Sequence, residues 1–204
     1  MTTPQLLGSD KPQSFLDLYD QFFEPLRDLP VRLLELGIAG GGSLRYWADY
    51  FPNGTIWGLD LHPPPIDHPR IETIQADQGN IEVLDKLSRN AGPWDIIIDD
   101  CSHLGDLTER SFYALYDYLV PGGLYAIEGW GTGYWADWPD GKQFDPMEVR
   151  AHDAGMVGFV KELIDIVATN DVSRGSFAGH SDEQGEISQL TIINGLVVAR
   201  KRYE

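Results

Sequence analysis

Acidic and basic side chains that could carry chemistry stand at the ends of two apolar runs. The run Trp94 to Asp100, WDIIIDD, is followed directly by CSH, and a later apolar run ends on Glu128. Histidine titrates near neutral pH, so His103 is a candidate general base. Asp100 and Glu128 could hold a hard cation, because Mg²⁺ often needs only one or two carboxylates plus water and substrate. The alternatives are a structural histidine and carboxylates that accept hydrogen bonds from loop amides.

A glycine-rich segment lies closer to the N-terminus, at RLLELGIAGGG from Arg32 to Gly42. Its apolar run leads through a turn with Glu35 and Gly37 into three glycines and a predicted helix from Ser43. Glycines allow positive φ and close approach to a ligand, and free N–H groups at a helix start can bind that ligand. Asp60 ends the next apolar run about 20 residues further on, the spacing of a nucleotide-binding βαβ unit. We expect its carboxylate to accept hydrogen bonds from a ribose diol.

The charge of Glu35 indicates which ligand the glycine segment suits. A carboxylate at the mouth of the loop would repel the pyrophosphate of a dinucleotide. It would suit S-adenosylmethionine, which carries a sulfonium and an ammonium group and no phosphate. The pattern Glu-x-Gly-x-x-Gly-Gly-Gly resembles motif I of the class I S-adenosylmethionine-dependent methyltransferases. A NAD-type Rossmann domain and a loop without a ligand stay open as alternatives.

The elements that must position these side chains are α/β repeats. Buried apolar runs predict parallel strands at 31–36, 55–59, 70–75, 94–100 and 124–127, with helical patterns between several of them. The C-terminus reads QLTII, Asn194-Gly195, LVVAR, a strong hairpin signal. Together with the resemblance, this predicts a Rossmann-like class I methyltransferase fold. Its sheet would have seven mostly parallel strands, a C-terminal antiparallel hairpin and helices on both faces.

We expect residues 1–204 to form one methyltransferase domain, large enough to bury roughly 70% of its unfolded surface. Residues 1–30 would include a covering helix. Residues 129–152 lack a clear period, and a loop of that length tends to be functional. Their aromatic residues could stack on a sugar as a substrate lid, although a hydrophobic flap or a subunit contact is nearly as good an explanation. These residues are Trp130, Tyr134, Trp135 and Trp138.

Composition limits the partners and the compartment. The formal net charge of −17 argues against nucleic acid and favours a neutral or cationic small substrate. No apolar stretch would span a bilayer, the first residues lack the pattern of a signal peptide, and Cys101 is the single cysteine. We therefore expect a cytoplasmic protein without a membrane partner. A covalent role for Cys101 is not expected, and His62, His68, His152 and His180 are predicted to lie on the surface.

Two motifs narrow the resemblance. IIIDDCSH and GGLYAIE look like the metal-dependent sugar O-methyltransferases of the macrocin and mycinamicin type and the methylmannose polysaccharide enzymes. The resemblance implies that Asp100 and Glu128 bind the metal, with Mg²⁺ expected, and that His103 is the general base. Cys101 departs from the family by replacing a glycine. Gly129 departs by replacing the third acidic ligand, so that water or a lid acid such as Asp137 or Asp140 would complete the site, or the metal is lost.

The sequence therefore predicts an S-adenosylmethionine-dependent O-methyltransferase that acts on a saccharide hydroxyl, in a polysaccharide precursor or a glycosylated natural product. Asp100 and His103 are the predicted catalytic residues. The predicted cofactor-binding residues are Glu35, Gly37, Gly40, Ser43, Asp60, Asp77 and Asp99. Asp77 could instead cap the following helix. A catechol or amine acceptor, or a NAD-type nucleotide-binding protein, is the alternative, and the lid aromatics would suit a homodimer.

Overall fold

A seven-stranded sheet organises the part of the chain that the computed structural model describes, residues 11–168 and 187–203. The strands are β1 (Arg32–Leu36), β2 (Thr55–Asp60), β3 (Ile71–Gln75), β4 (Trp94–Asp99), β5 (Leu119–Glu128), β6 (Ile187–Ile193) and β7 (Leu196–Lys201). The helices are α1 (Gln13–Phe23), α2 (Gly42–Tyr50), α3 (Ile81–Ala91), α4 (Gly105–Tyr116) and α5 (Gly155–Ala168). Short 3₁₀ helices lie at Glu24–Leu26, Trp130–Tyr134, Pro139–Gln143 and Pro146–Ala151.

The strand order is β3-β2-β1-β4-β5-β7-β6. Strands β1 to β5 pair in parallel, whereas β7 pairs antiparallel with both β5 and β6. The predicted fold class is therefore confirmed, including the hairpin that turns at Asn194-Gly195. Strand β5 begins earlier than its apolar run, at Leu119, and an irregularity between Trp94 and Ile96 of β4 accommodates the extra residues.

The core has two halves, one on each face of the sheet. Leu33 faces the half formed with α1 and α2, while its neighbour Leu34 faces the half formed with α3, α4 and α5. Alternate residues of a strand point to opposite faces, and both faces of a central parallel strand are covered. This is why the strand runs are continuously apolar. On the α1 side, Tyr19, Phe23 and Trp47 pack their rings together.

The register of the parallel strands brings their carboxyl ends to one edge. Leu36 pairs with Leu59 and with Asp99, and Asp99 pairs with Ile127. The residues that follow these positions, Asp60, Asp100 and Glu128, therefore lie at the edge where open α/β sheets bind ligands. Helix α1 of the predicted covering segment lies within the described residues. In the ranges 11–168 and 187–203, no helix has the length and apolar character needed to cross a membrane.

Candidate active site

Asp60 shapes the glycine loop at the end of β1. Its Oδ2 accepts hydrogen bonds from the backbone N–H groups of Ile38 at 3.0 Å and Ala39 at 3.2 Å, and its Oδ1 accepts from His62 at 2.9 Å. Partial burial alone would raise the pKa of Asp60, but these three donors lower it below its usual value. The carboxylate is therefore ionised. It has about four acceptor positions, so a ribose hydroxyl can still bind, and that role of Asp60 stays a prediction.

A cavity of about 640 Å³ lies beside this loop. Five of the predicted cofactor-binding residues line it, namely Gly37, Gly40, Ser43, Asp60 and Asp77. Asp77 does not cap α3, because Asn80 occupies the cap position and accepts a hydrogen bond from Val83 N–H at 3.2 Å. The Asp77 carboxylate instead accepts from Gly79 N–H at 2.7 Å and faces the cavity.

The other two predicted cofactor-binding acids lie below the cavity and do not line it. Glu35 is fully buried and does not lie at the mouth of the loop. Its Oε1 lies 3.0 Å from Nζ of Lys11, which stands two residues before α1. Asp99 accepts from Gln78 Nε2 at 2.8 Å and 2.7 Å and from the Ser111 hydroxyl at 2.8 Å. Burial raises the pKa of Asp99 to about 6. Neither carboxylate lines the cavity, and the cofactor-binding role of both stays a prediction.

Lys11 joins the acidic residues at the sheet edge. Its ammonium lies 2.9 Å from Asp100 Oδ2 and 2.6 Å from Glu128 Oε1, in addition to its contact with Glu35. The Tyr19 hydroxyl donates to Glu128 Oε1 at 2.7 Å. Burial alone would lower the pKa of Lys11, but the three carboxylates raise it well above the usual value. The lysine is therefore a buried positive charge held among acids.

Asp100 and Glu128 have the donor chemistry for a divalent cation, since their oxygens converge on one cation position. The Lys11 ammonium stands in for an ion at that position. Neither lid acid completes the set: Asp137 is exposed, and Asp140 accepts hydrogen bonds from two helix ends. Within the described ranges, no group of three or more His, Cys, Asp or Glu side chains is arranged to hold a metal. Two carboxylates plus water are the ligands available.

His103 is held by its backbone and its ring. Its φ of 52° is left-handed, and its carbonyl accepts from Thr132 Oγ1 at 3.1 Å and Trp138 Nε1 at 2.9 Å. Ring atom Nδ1 lies 3.2 Å from the carbonyl oxygen of Glu128, and Nε2 lies 3.7 Å from Asp100 Oδ1. A carbonyl oxygen can only accept, so this contact is a hydrogen bond when Nδ1 carries the proton. The neutral ring then presents a free Nε2 as a base.

Gly129 makes room for this ring. Its φ is 69°, and a Cβ atom built there would lie 2.3 Å from His103 Nδ1. An acid at this position would therefore collide with the imidazole as it lies in this structure. The glycine at the position of the third metal ligand thus leaves the space that the His103 ring occupies.

A second cavity, of about 840 Å³, opens on the other side of Asp100 and His103, which line both cavities. Its walls include Lys11, Glu128 and aromatic residues of α1 and the lid; the aromatic ones are Phe15, Trp130, Tyr134 and Trp135. Trp138 does not line it, because its indole binds the His103 carbonyl. Three short 3₁₀ helices replace the featureless loop expected at 129–152. The substrate-lid role of the segment stays a prediction.

Asp140 connects the lid segment, residues 129–152, to helices α4 and α5. Its Oδ2 accepts from Gly105 N–H at 2.7 Å and Met156 N–H at 2.8 Å, at the first turns of α4 and α5. We expect Asp140→Asn to lower the free energy of unfolding by about 1–3 kcal/mol, because two charge-assisted hydrogen bonds are weakened. Urea denaturation measures the loss, with exposed Asp137→Asn as the control. Equal stability of the two variants would contradict this role.

The predictions for three further side chains have different outcomes. His152 was expected on the surface, but it is buried, with Nε2 2.7 Å from the Gly133 carbonyl oxygen, because the lid folds over it. His180 lies outside the described residues. Burial, together with Asp99, raises the pKa of Cys101 to about 12, so its thiol stays protonated and is a poor nucleophile.

The sheet order, with its reversed last strand and glycine loop at the ligand-binding edge, is the class I methyltransferase fold. MycE methyltransferase from the mycinamycin biosynthetic pathway, solved in complex with Mg, SAH and mycinamycin VI, superposes with a TM-score of 0.81 at 36% identity. The match covers 93% of this chain and 49% of that one.

Curated relatives give the same result. Mycinamicin VI 2''-O-methyltransferase of Micromonospora griseorubida is 43% identical over 161 residues, 75% of this chain and 39% of the relative. Demethylmacrocin O-methyltransferase of Streptomyces fradiae is 37% identical over 178 residues, 82% and 44% respectively. No protein-family model matches the chain. The chain spans less than half the length of these two relatives. It is a homologue of the sugar O-methyltransferases. The predicted resemblance to the macrocin and mycinamicin enzymes is therefore confirmed. The resemblance to the methylmannose enzymes stays a prediction.

Proposed function

We propose that this protein is an S-adenosylmethionine-dependent O-methyltransferase that acts on a sugar hydroxyl of a glycosylated natural product. The observation that carries the proposal is the position of His103. This residue lines both the cavity at the glycine loop and the acidic, aromatic cavity next to it. A base at this boundary can reach an acceptor on one side and a methyl donor on the other. Homologues of this chain act on glycosylated natural products.

S-adenosylmethionine, when bound, supplies a methyl group on a sulfonium. The acceptor oxygen forms a bond to the methyl carbon, the carbon–sulfur electron pair stays on sulfur, and the hydroxyl proton passes to His103 Nε2. The Glu128 carbonyl keeps Nδ1 as the protonated nitrogen. The Asp100 carboxylate, 3.7 Å from Nε2, stabilises the imidazolium that results. Such a general base typically contributes about 10²–10⁴-fold.

We propose that Mg²⁺ assists, as it accompanies MycE. Asp100 and Glu128 are the residues that would hold it, with water at the position that Gly129 leaves without a carboxylate. A bound Mg²⁺ would lower the pKa of the acceptor hydroxyl and orient it. The same carboxylates contact Lys11 in this structure.

The cellular location, the partners, the oligomeric state and an alternative acceptor are part of the same proposal. A cytoplasmic location is supported by the single cysteine, and the absence of a nucleic-acid partner is supported by the net charge of −17. A homodimer is supported by Trp135, which is 54% exposed at the rim of the acceptor cavity. A polysaccharide precursor is the second candidate acceptor, because aromatic walls of this kind suit any sugar face.

Calorimetry and an acceptor screen test the proposal. We expect micromolar binding of S-adenosylhomocysteine and none of NADH, because a glycine loop with acids around it disfavours a pyrophosphate. We then expect methyl transfer, with S-adenosylmethionine and Mg²⁺, to mycinamicin VI or demethylmacrocin and not to catechol or a primary amine. Binding of NADH alone would remove the methyltransferase assignment. Transfer to catechol alone would keep the reaction and replace the acceptor.

A further inference from the structure

We propose that Lys11 is the resident cation of the acidic site, and that its ammonium and a divalent metal ion exclude one another there. This goes beyond the proposed function, because it depends on the geometry of the charged side chains and not on the acceptor. A failed methyl-transfer assay would not contradict the inference about Lys11. Equally, evidence against the role of Lys11 would not contradict the proposed methyl transfer.

The distances place the two cations at the same position. Lys11 Nζ lies 2.9 Å from Asp100 Oδ2 and 2.6 Å from Glu128 Oε1. An ion bound by the same two oxygens would occupy the space between them, where Nζ already lies. Two like charges in a site this buried repel strongly, because little water screens them. Metal binding therefore requires Lys11 to leave.

The remaining contacts favour the lysine. Glu35, which is fully buried and does not line the acceptor cavity, lies 3.0 Å from Nζ and adds a third carboxyl group to the surroundings of Lys11. Gly129 lacks the carboxylate that would supply a third charge to a metal on the acceptor side. The acids are thus arranged around an ammonium that extends from the start of α1. Glu35, which was predicted to bind the cofactor, contacts Lys11 in this structure.

Lys11 also borders the second cavity. The residue lines it together with Asp100, Glu128 and His103, although its side chain is only 2% exposed. Its ammonium contacts the Asp100 and Glu128 carboxylates of that wall. In the lysine-bound state a positive charge therefore lies behind the wall, next to the position that a metal would take.

The test measures metal binding without cofactor or acceptor. Lys11→Met with Glu35→Gln removes one charge of each sign, so the buried site keeps its charge balance. We expect calorimetric titration with MgCl₂ to give an affinity on the order of 10- to 100-fold higher than wild type, the range by which neighbours of metal ligands alter affinity. Lys86→Met, on the exposed side of α3, is the matched control and should bind as wild type. Equal Mg²⁺ affinity in wild type and the double variant would overturn the inference.

A second measurement uses the wild-type protein and does not depend on the variant folding. Acetic anhydride labelling, read by mass spectrometry with Lys86 as internal reference, reports whether Lys11 is buried. We expect Mg²⁺ binding to increase Lys11 labelling. A wild-type protein that binds no Mg²⁺ and keeps Lys11 protected is also the expected behaviour of a site that Lys11 holds. Binding of Mg²⁺ with Lys11 still protected would overturn the inference.

Discussion

Replacing His103 with alanine should reduce methyl transfer by about two orders of magnitude or more while the affinity for S-adenosylhomocysteine stays nearly unchanged. The expected loss is that of a general base, because Nε2 is the free ring nitrogen at the boundary of the two cavities. The cofactor affinity should stay because the glycine loop is shaped by Asp60 and not by the imidazole.

The backbone of His103 calls for a second variant. At φ 52°, alanine adds strain that asparagine tolerates better, so His103→Asn separates loss of the base from loss of the local conformation. His68→Asn, in a surface loop, is the matched control. The measurement is the single-turnover rate beside the calorimetric dissociation constant. A variant at position 103 with wild-type turnover would exclude His103 from the mechanism.

The fold could be predicted because its signals are local. Strands buried on both faces read as continuous apolar runs, as in WDIIIDD, and Asn194-Gly195 specifies a tight hairpin between two such runs. Parallel strands end at one edge, so the proximity of Asp100 to Glu128 also followed from the sequence. The apolar runs and the turn chemistry predicted the strands and the hairpin, and the resemblance to the class I methyltransferases supplied their arrangement in one sheet.

The role of Lys11 could not be predicted, because a single lysine has no spacing signal. It meets Asp100 and Glu128 across 89 and 117 residues of chain. The direction of the Glu35 side chain, in contrast, could have been predicted from the sequence. Alternation along β1 puts Glu35 on the same face as Leu33, the face that α1 covers, and not at the mouth of the loop.

Gly129, His103 and Lys11 are physically connected. Gly129 removes a carboxylate and gives the His103 ring the space in which Nδ1 reaches the Glu128 carbonyl. Lys11 meanwhile compensates the two carboxylates that remain. A change at any one of the three positions alters the charge or the space available to the others, so their variants should not be additive.

The Gly37→Ala variant should be strongly destabilising. A Cβ atom at Gly37 would lie 2.2 Å from the carbonyl oxygen of Asp100 and 2.6 Å from Cys101 Cα, at a φ of 79°. Both neighbours are backbone atoms, so neither can rotate away. Left-handed strain of about 1–2 kcal/mol and overpacking of about 1–3 kcal/mol predict a loss of roughly 2–5 kcal/mol in the free energy of unfolding.

Gly40→Ala is the matched control for this effect, because a Cβ atom built at Gly40 meets no atom within 4 Å. Urea denaturation should place the Gly40 variant within about 0.5 kcal/mol of wild type. Equal losses in the two variants would show that the close approach of Gly37 to β4 is not what this loop depends on. Asp100 carries one of the three carboxylates that contact Lys11, so the steric effect should reach the catalytic edge. In any folded Gly37→Ala protein we therefore expect reduced methyl transfer in addition to weaker S-adenosylhomocysteine binding.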